Sequence, residues 1–446
     1  MSNATAELVQ QLIRNRCVND GTPESGHESR NVDVIETLFN GHDLEVARFE
    51  AQPGRASLVV RMRGRQPNAP KLLLQGHTDV VPANAPDWKH DPFGGELIDG
   101  VVHGRGAVDM FNITGSMAIA MSNLAQQGFI PQGDVVFAAV ADEEAGGKLG
   151  AEYLVDNYYD LVSADYVLSE SGGTHMPVGD KTYLPVVVGE KGVHWIVIEI
   201  DGTPSHGSKP YGADNAIVKG VDIIQRFLDY RPPVRFSKGW ETFLTALGLN
   251  EELVSKLSDE HTVDEALTEV AQPLASVLHS CCHQTFSPNV IHGGVKVNTI
   301  ADSTSIQIDI RSLPETSLAQ VDAMIKDVLG EYSEQVRVSY SQHEQSTVSP
   351  TNTPLWDTLQ AVSSSIFPGA ELLPTNSTFG TDSRFWRRNG AVAYGAALFD
   401  PQDTNYENHL AMFHGRDEQV SVKSLAHTTA LYEGVIRTLG DFAAVR

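Results

Sequence analysis

The sequence predicts an α/β protein with a mostly parallel sheet covered by helices on both faces, and a smaller α+β domain inserted into it. In the first half of the chain, continuous apolar runs alternate with helix-like stretches, as in parallel sheets that are buried on both sides. After Gly189 the apolar residues recur at every second position, which is typical of antiparallel strands with one exposed face. Beyond about residue 350 the helical and apolar texture of the first part returns.

The elements of the larger domain follow from these patterns. A helix is expected over residues 4–16, where Leu8, Leu12 and Ile13 share one side. Strands are predicted at SLVVRM (57–62), KLLLQG (71–76), DVVFAAVA (134–141) and DYVLSE (165–170), and helices at 113–128 and 148–159. Each of these strands is short and largely apolar, so we expect them in the interior of the sheet.

The smaller domain is predicted from the order of its elements. In sequence they are a strand (193–202), a helix (215–230), two strands (289–298 and 303–312), a helix (318–332) and a strand (335–341), with an irregular, partly helical insert at 232–285. This is the ferredoxin-like order. We therefore expect a larger domain formed by residues 1–191 and 346–446, and a smaller domain at 192–345.

Composition restricts the kinds of partner. The chain has 57 Asp and Glu against 32 Lys and Arg, a formal net charge of -25, which repels phosphate backbones and anionic membrane surfaces. We expect neither nucleic acid nor a membrane as partner, and we find no signal peptide and no bilayer-spanning run. Cys17, Cys281 and Cys282 cannot form a disulfide framework. The lack of a framework indicates a cytoplasmic, reducing environment, and we interpret the adjacent Cys281 and Cys282 as small buried hydrophobic residues in preference to a redox or metal-binding feature.

Ligand-type side chains follow several predicted strands. They are His77 and Asp79 after KLLLQG, the Asp-Glu-Glu run 142–144 after DVVFAAVA, Glu170 at the end of DYVLSE, Asp109 just before the 113–128 helix, and His414 late in the chain. Each alone has an ordinary explanation as a loop pair, a solvated charge or a helix cap. Together they occupy the carboxyl ends of parallel strands, where open α/β sheets keep their sites and unpaired carboxylates are costly to bury. Imidazoles and carboxylates suit Zn²⁺, with Co²⁺ or Mn²⁺ as alternatives.

A series of motifs spans nearly the whole chain. They are GHTDVVP (76–82), WKHDPFGGELIDGVVHGRGAVDM (88–110), DEE (142–144), SES (169–171), SHGS (205–208), NVIHGGVKVN (289–298), DIRSLP (309–314), FGTDSRF (379–385) and HGRDE (414–418). In composition and order they resemble the superfamily of zinc aminoacylases, acetylornithine deacetylases, succinyl-diaminopimelate desuccinylases and glutamate carboxypeptidases. The resemblance implies a zinc-exopeptidase-like catalytic domain, an inserted lid domain that forms a homodimer, and two divalent metal ions per subunit. It also implies hydrolysis of an amide bond in a small substrate, either an N-acyl amino acid or a short peptide.

The resemblance further implies roles for single residues. The implied metal ligands are His77 and Glu170 for one ion, Glu144 and His414 for the other, and Asp109 as the bridge between them. Asp79 would fix the tautomer of the His77 imidazole. Glu143 would be the general base, which takes a proton from the attacking water and passes it to the leaving amine.

The implied roles of the remaining residues concern the substrate. His206 of the lid would reach the active site of the partner subunit and stabilise the oxyanion. Arg311 and Asn298, from lid strands, would bind the substrate carboxylate. Gly380 and Thr381, with Arg384 nearby, would line the substrate pocket.

The sequence leaves several alternatives open. Relatives commonly follow the bridging aspartate with Met-Lys-Gly, whereas this chain has Met110, Phe111 and Asn112. Deacylase and peptidase activities are not distinguished, and a catalytically silent binding protein on the same fold is an alternative. A nucleotide-binding protein is rejected, because GRGAVDM has too few glycines and its acidic residue would face a phosphate.

Overall fold

The structure, a computed structural model, describes residues 4–272 and 274–444. The outermost residues of the two predicted segments 1–191 and 346–446, and Pro273 within 192–345, lie outside the described residues. The helices are α1 (Ala4–Arg14), α2 (Ser29–Thr37), α3 (Phe111–Gln126), α4 (Ala151–Val162), α5 (Ala216–Asp229), α6 (Trp240–Ala246), α7 (Glu251–Leu257), α8 (Val263–Leu267), α9 (Leu274–Cys282), α10 (Leu318–Leu329), α11 (Pro354–Ile366), α12 (Ser383–Arg388), α13 (Tyr406–Met412) and α14 (Val422–Ala444). The strands are β1 (Glu45–Glu50), β2 (Ala56–Met62), β3 (Leu72–His77), β4 (Glu96–Ile98), β5 (Val101–His103), β6 (Val135–Val140), β7 (Tyr166–Ser169), β8 (Met176–Val178), β9 (Lys181–Glu190), β10 (Gly192–Asp201), β11 (Thr285–Gly293), β12 (Ser303–Ser312), β13 (Val336–Glu344), β14 (Thr347–Val348), β15 (Ala370–Ser377), β16 (Val392–Gly395) and β17 (Gln419–Ser421).

The larger sheet has a parallel centre, as the apolar runs predicted. Its strand order is β1-β2-β6-β3-β7-β16-β9-β14, with β15 and β8 also paired to β9. The neighbours β6, β3, β7 and β16 run parallel to one another, while β2 and β9 join this centre in antiparallel orientation. Strand β9 had no counterpart in the sequence prediction.

Helices cover both faces of this sheet. Successive side chains of each strand point to opposite faces, so each strand contributes to a core on either side. In β3, Leu72 and Leu74 join a core that includes Met117 of α3, whereas Leu73 joins a second core with Leu154 of α4 and Trp386 of α12. All six side chains are almost fully buried. The predicted covering of the sheet on both faces is therefore confirmed.

The second sheet is antiparallel, in the order β11-β12-β10-β13. Together with α5 and α10, these strands give the ferredoxin-like order of elements. Alternate residues of β10, such as Ile196 and Ile198, are buried with Ile223 of α5 and Val321 of α10, whereas Trp195 between the alternate positions is exposed. The opposite face of the sheet is thus left uncovered by these helices.

The bounds of one strand predicted in this region were wrong. The segment predicted as a strand at 289–298 pairs as β11 only up to Gly293, and its partner is β12. Gly294 has φ of +70°, a left-handed conformation that ends the extended backbone. Asn298 therefore lies in a turn and not in a lid strand.

The insert at 232–285 folds into α6 to α9. Trp240, Phe243 and Leu278 of the insert share a core with Met176 of β8 and Leu373 of β15. The insert therefore packs against the edge of the larger sheet. Among the described residues, every helix is too short or too polar to cross a lipid bilayer.

Candidate metal centre and substrate cavity

The site forms where three parallel strands end side by side. His77 is the last residue of β3 and pairs with Val140, the last residue of β6. Glu143 and Glu144 follow in a short 3₁₀ turn, and Glu170 follows β7 directly. Because β6, β3 and β7 are adjacent and parallel, their carboxyl ends bring these side chains to one edge of the sheet.

Asp109 lies between the two histidines of the site. Its Oδ1 is 3.1 Å from Nε2 of His77, and its Oδ2 is 3.4 Å from Nε2 of His414. His414 Nε2 is also 3.0 Å from Oε2 of Glu144, and His77 Nε2 is 3.9 Å from Oε2 of Glu170. One carboxylate thus offers one oxygen to each half of the site.

The donor atoms fit a pair of divalent cations. Two groups of three, His77–Asp109–Glu170 and Asp109–Glu144–His414, each have ligand atoms within 4.8 Å of one another. They share Asp109, and Oε1 of Glu144 is buried without a hydrogen-bond partner. Histidine nitrogens and carboxylate oxygens are the ligand atoms that zinc and related ions prefer. A bound ion would also satisfy the unpaired oxygen of Glu144. The five residues that the sequence singled out as metal ligands are brought together in this arrangement.

The electrostatics of the site are those of crowded carboxylates. Loss of solvent raises the pKa of Glu143 and of Glu170 well above its usual value, with repulsion from Glu170 and from Asp109, respectively, adding to the effect. Burial also works to raise the pKa of Asp109, but hydrogen bonds from His414 and His77 outweigh it and hold that pKa well below its usual range. The hydrogen bonds that His414 makes with Asp109 and with Glu144 raise the pKa of His414 to about 10. Protons held by these side chains thus partly offset the negative charge of the site. A bound cation would displace them and offset the charge instead.

His414 is held in an unusual backbone conformation. Its φ is 53°, in the left-handed region that non-glycine residues seldom adopt, and its side chain is 59% exposed. Such residues cluster at functional sites, where surrounding contacts enforce them. Here the contacts are those with Asp109 and Glu144.

Asp79 is completely buried behind His77. Nδ1 of His77 is 3.0 Å from the backbone oxygen of Asp79 and 3.4 Å from its Oδ1. Oδ2 accepts hydrogen bonds from Nδ2 of Asn19 at 2.8 Å and from the backbone N–H of Glu144 at 3.2 Å. The shorter contact indicates that the Nδ1–H of His77 donates to the backbone oxygen, which leaves Nε2 free to bind a metal.

A cavity of about 760 Å³ opens over the metal-ligand residues. The larger domain contributes Glu143 and Gly380 to its wall, and the four-stranded sheet contributes Trp195 and Arg311. Arg311 is fixed by a two-pronged pair with Asp309, at 2.7 and 3.0 Å. The cavity therefore lies between the two sheets, with a cation on the side opposite the carboxylates.

Three predicted residues lie elsewhere. Thr381 is buried and donates its N–H and hydroxyl to Oε2 of Glu190, at 2.6 and 2.7 Å, so it supports the cavity wall from behind. His206 and Asn298 are exposed and adjacent to each other, with the N–H of Gly207 donating to the backbone oxygen of Asn298 at 2.8 Å. The described residues that line the cavity include neither of them.

Two supporting residues were missed from the sequence. Asn19 holds both Asp79 and, at 3.2 Å, Oδ1 of Asp142. Asp382 is buried, accepts a hydrogen bond from Gln75 at 3.1 Å, and its pKa is raised to about 7 by burial. Asp382 stands within the motif FGTDSRF and so carried a signal, whereas Asn19 carried none.

The family model that matches is the one described as peptidase family M20/M25/M40, over residues 73–438. The chain belongs to this family. Its M20 relatives include aminoacylase-1 of Sus scrofa, 25% identical over 444 residues that cover 98% of this chain and 96% of the relative. A probable succinyl-diaminopimelate desuccinylase of Staphylococcus aureus strain Mu50 is 23% identical over 380 residues, 85% of this chain and 88% of the relative.

Solved structures agree in fold. An M20 family metallo-carboxypeptidase, Sso-CP2 from Sulfolobus solfataricus, has a TM-score of 0.73 at 14% identity and covers 99% of this chain and 100% of its own. Human carnosine dipeptidase 1 has a TM-score of 0.66 at 16% identity and covers 98% and 96%, respectively. The M20 chain described here is accordingly a metal-dependent hydrolase of the amidohydrolase or peptidase type, related to aminoacylase and desuccinylase.

Proposed function

We propose that this M20 enzyme hydrolyses the amide bond of N-acyl amino acids or short peptides that carry a free carboxylate. The observation that carries the proposal is the position of Glu143, which lines the cavity next to both ligand groups but belongs to neither. His77, Asp109, Glu144, Glu170 and His414 would hold two divalent ions, zinc by preference and cobalt or manganese as alternatives. When bound, such ions supply Lewis acidity and lower the pKa of a water molecule.

Glu143 would act as the general base. Its neighbour Glu144 is paired with His414, so the two adjacent glutamates have separate tasks. Loss of solvent raises the pKa of Glu143 well above its usual value, towards the range in which a carboxylate accepts a proton effectively at neutral pH. Glu143 would take the proton of the attacking water and hand it to the leaving amine.

Arg311 would select substrates with a free carboxylate. Its guanidinium lines the cavity and is fixed by Asp309, and a fixed guanidinium suits a carboxylate in two-pronged geometry. Gly380, which has no side chain to narrow the cavity, lies in the wall as well. A cavity of about 760 Å³ is within the usual range for small ligands, which agrees with a single acylated amino acid or a short peptide.

The ferredoxin-like domain would serve as lid and dimer interface. We place its boundaries at 192 and 345, between the two catalytic segments 1–191 and 346–446. Strand β11 is an edge strand; its Ile291 is 47% exposed, and Val218 and Val221 of the neighbouring α5 are 65% and 58% exposed. An edge strand with exposed apolar neighbours favours pairing with a second copy.

Dimerisation would give His206 a role that one chain does not provide. His206 and Asn298 are exposed beside this domain's sheet, away from the cavity of their own chain. A second copy would allow them to reach the partner subunit's cavity, with His206 stabilising the oxyanion and Asn298 binding the substrate. The three free cysteines further support a cytoplasmic location.

Measurement of metal content and amine release tests the catalytic proposal. Zinc per chain is determined first, and release of free amine is then followed with a panel of N-acyl amino acids and dipeptides. Glu143→Gln should keep the metal content of the wild type and lower kcat by about 10²–10⁴-fold. Glu24→Gln, a change at an exposed glutamate in the loop bordering the cavity, is the matched control and should leave kcat unchanged.

Two results would contradict the proposal. Wild-type turnover in Glu143→Gln would remove the general base from the mechanism. Two bound metal ions with no substrate of the panel cleaved would favour a catalytically silent binding protein. Chelation should abolish hydrolysis, and Zn²⁺, Co²⁺ or Mn²⁺ should restore it.

A further inference from the structure

A second group of metal-ligand type lies in the insert, outside the catalytic cavity. It consists of Asp264 of α8, His279 of α9 and His283, which follows α9, and we call it the insert triad. One ligand atom from each lies within 4.8 Å of the others. The histidines are four residues apart and their rings are stacked, with centroids 4.1 Å apart and planes 2° from parallel. That spacing places both imidazoles on one face of a helical turn.

His283 carries an unsatisfied nitrogen. The residue is 2% exposed, and its Nε2 has no hydrogen-bond partner. Oδ1 of Asp264 is only 3.1 Å from that nitrogen, but the two atoms are not aligned as donor and acceptor. A buried polar atom with no partner is costly, so its close approach to a carboxylate oxygen requires an explanation.

The contacts of the other ring nitrogen, Nδ1, bear on the tautomer of His283. Nδ1 of His283 is 3.1 Å from the backbone oxygen of His279, and the tautomer that donates to this oxygen leaves a lone pair on Nε2. The thiol of Cys282 lies 3.2 Å from both the backbone oxygen of Leu278 and Nδ1 of His283. In this tautomer Nε2 is an acceptor that lies 3.1 Å from a carboxylate oxygen. Two acceptors at this distance repel each other, and a cation bound between them would remove that repulsion.

We propose that the insert triad binds a divalent transition-metal ion of the zinc class, separate from the catalytic pair. Two imidazole nitrogens and one carboxylate oxygen are zinc ligands, and nitrogen donors discriminate against Ca²⁺ and Mg²⁺. Two ligand atoms at about 2.1 Å from a tetrahedral ion are about 3.4 Å apart. The distance between Oδ1 of Asp264 and Nε2 of His283 is close to this value, at 3.1 Å. The hydrogen bond from Nδ1 of His283 to a backbone oxygen is the outer contact that orients a metal-binding histidine.

The ion would tie α8 to α9 and thereby stabilise the insert. The backbone oxygens of Ser280 and His283, at the end of α9, accept hydrogen bonds from Nζ of Lys191 at 3.0 and 2.8 Å. Lys191 lines the catalytic cavity. The insert triad is thus built into the segment that holds one residue of the cavity wall.

Zinc counting tests the insert triad. The full chain, purified without a histidine tag, is saturated with zinc, dialysed and measured for zinc per chain. His279→Ala removes one donor, and Asp264→Asn removes the carboxylate charge while keeping its shape; Asp264 is exposed, so the change is tolerated. His261→Ala, at an exposed histidine of the same insert, is the matched control.

We expect His279→Ala to hold one zinc ion fewer per chain than the wild type and the control, and Asp264→Asn to bind that ion at least tenfold more weakly. Zinc should also raise the thermal midpoint less in both variants than in the wild type. Equal zinc content in all four proteins would overturn the inference, and so would an equal loss in His261→Ala. Because the catalytic residues are the same in all four chains, failure of the proposed hydrolysis would not affect this difference.

Discussion

Replacing Asp79 by asparagine tests how the protein prepares His77 for a metal. Oδ2 of Asp79 accepts hydrogen bonds from Asn19 and from the N–H of Glu144, while Oδ1 is buried without a hydrogen-bond partner, 3.4 Å from Nδ1 of His77. An amide has one acceptor oxygen, so the variant must place a buried NH₂ group at one of these two positions, where it faces donors and finds no acceptor. An unpaired buried donor costs roughly 1–3 kcal/mol.

The expected loss of metal-binding free energy is similar in size to this cost. Loss of a carboxylate that orients a metal-binding histidine lowers metal affinity about 10–100-fold, which corresponds to about 1.4–2.7 kcal/mol. We therefore expect Asp79→Asn to weaken zinc binding by that factor, and to lower the unfolding free energy of the metal-free chain by about 1–3 kcal/mol.

Zinc competition with a chromophoric chelator, together with urea unfolding of the metal-free protein, measures both quantities. Asp20→Asn is the matched control, because Asp20 also lines the cavity but its carboxylate bonds to Thr22 and does not approach His77. It removes the same charge and should leave zinc affinity nearly unchanged. Wild-type zinc affinity in Asp79→Asn, or an equal loss in Asp20→Asn, would refute the reasoning.

Three further predictions concern the surrounding structure. Arg55→Met should lower stability by about 3–5 kcal/mol, because Arg55 pairs with buried Glu28 at 2.7 Å and Asp142 at 2.8 Å; urea unfolding measures the loss. That loss should shrink as the pH falls towards 7 and stay level below it: burial raises the pKa of Glu28 to about 7 in the presence of Arg55, which lowers it, so the folded variant binds the proton at a higher pH than the folded wild type. Zinc binding to the metal-free protein should release protons and strengthen as the pH rises, because hydrogen bonds to Asp109 and Glu144 raise the pKa of His414 to about 10; calorimetry in two buffers of different ionisation enthalpy measures the release. Trp386→Ala should destabilise the chain by about 3–5 kcal/mol in the same urea assay, because the ring is fully buried and its N–H donates to Val162 at 2.9 Å.

Much of the candidate site could be predicted from the sequence because its residues follow strands that are themselves easily detected. His77 ends one apolar run and Glu170 directly follows another, so both stand at the carboxyl ends of strands, where open parallel sheets keep their sites. The orientation of β2 was not predictable in this way, since an apolar strand has the same composition in parallel and antiparallel pairing. Strand β9 was missed as well, although it pairs with β16, β15, β8 and β14.

Residues that act through distant partners could not be found from local patterns. Asn19 reaches Asp79 across 60 positions of the chain, and nothing in its own segment indicates that contact. The insert shows the same limit, because Trp240 packs against Met176 and Leu373, which belong to strands far away in sequence. Local periodicity gives the elements, and contacts between them depend on the completed fold.

The charge of the site connects its chemistry with the composition of the chain. Around His77 lie the carboxylates of Asp79, Asp109, Glu143, Glu144, Glu170 and Asp382, and the nearby cations are His414 and Arg384. Burial raises the pKa of Asp382 to about 7 and that of Glu170 well above its usual value, so the metal-free site lowers its charge by holding protons. Two divalent ions would displace those protons and restore the carboxylates to their charged form, including the one that must accept a proton during hydrolysis. The same ions would therefore stabilise the site and would leave Glu143 free to act as the proposed base.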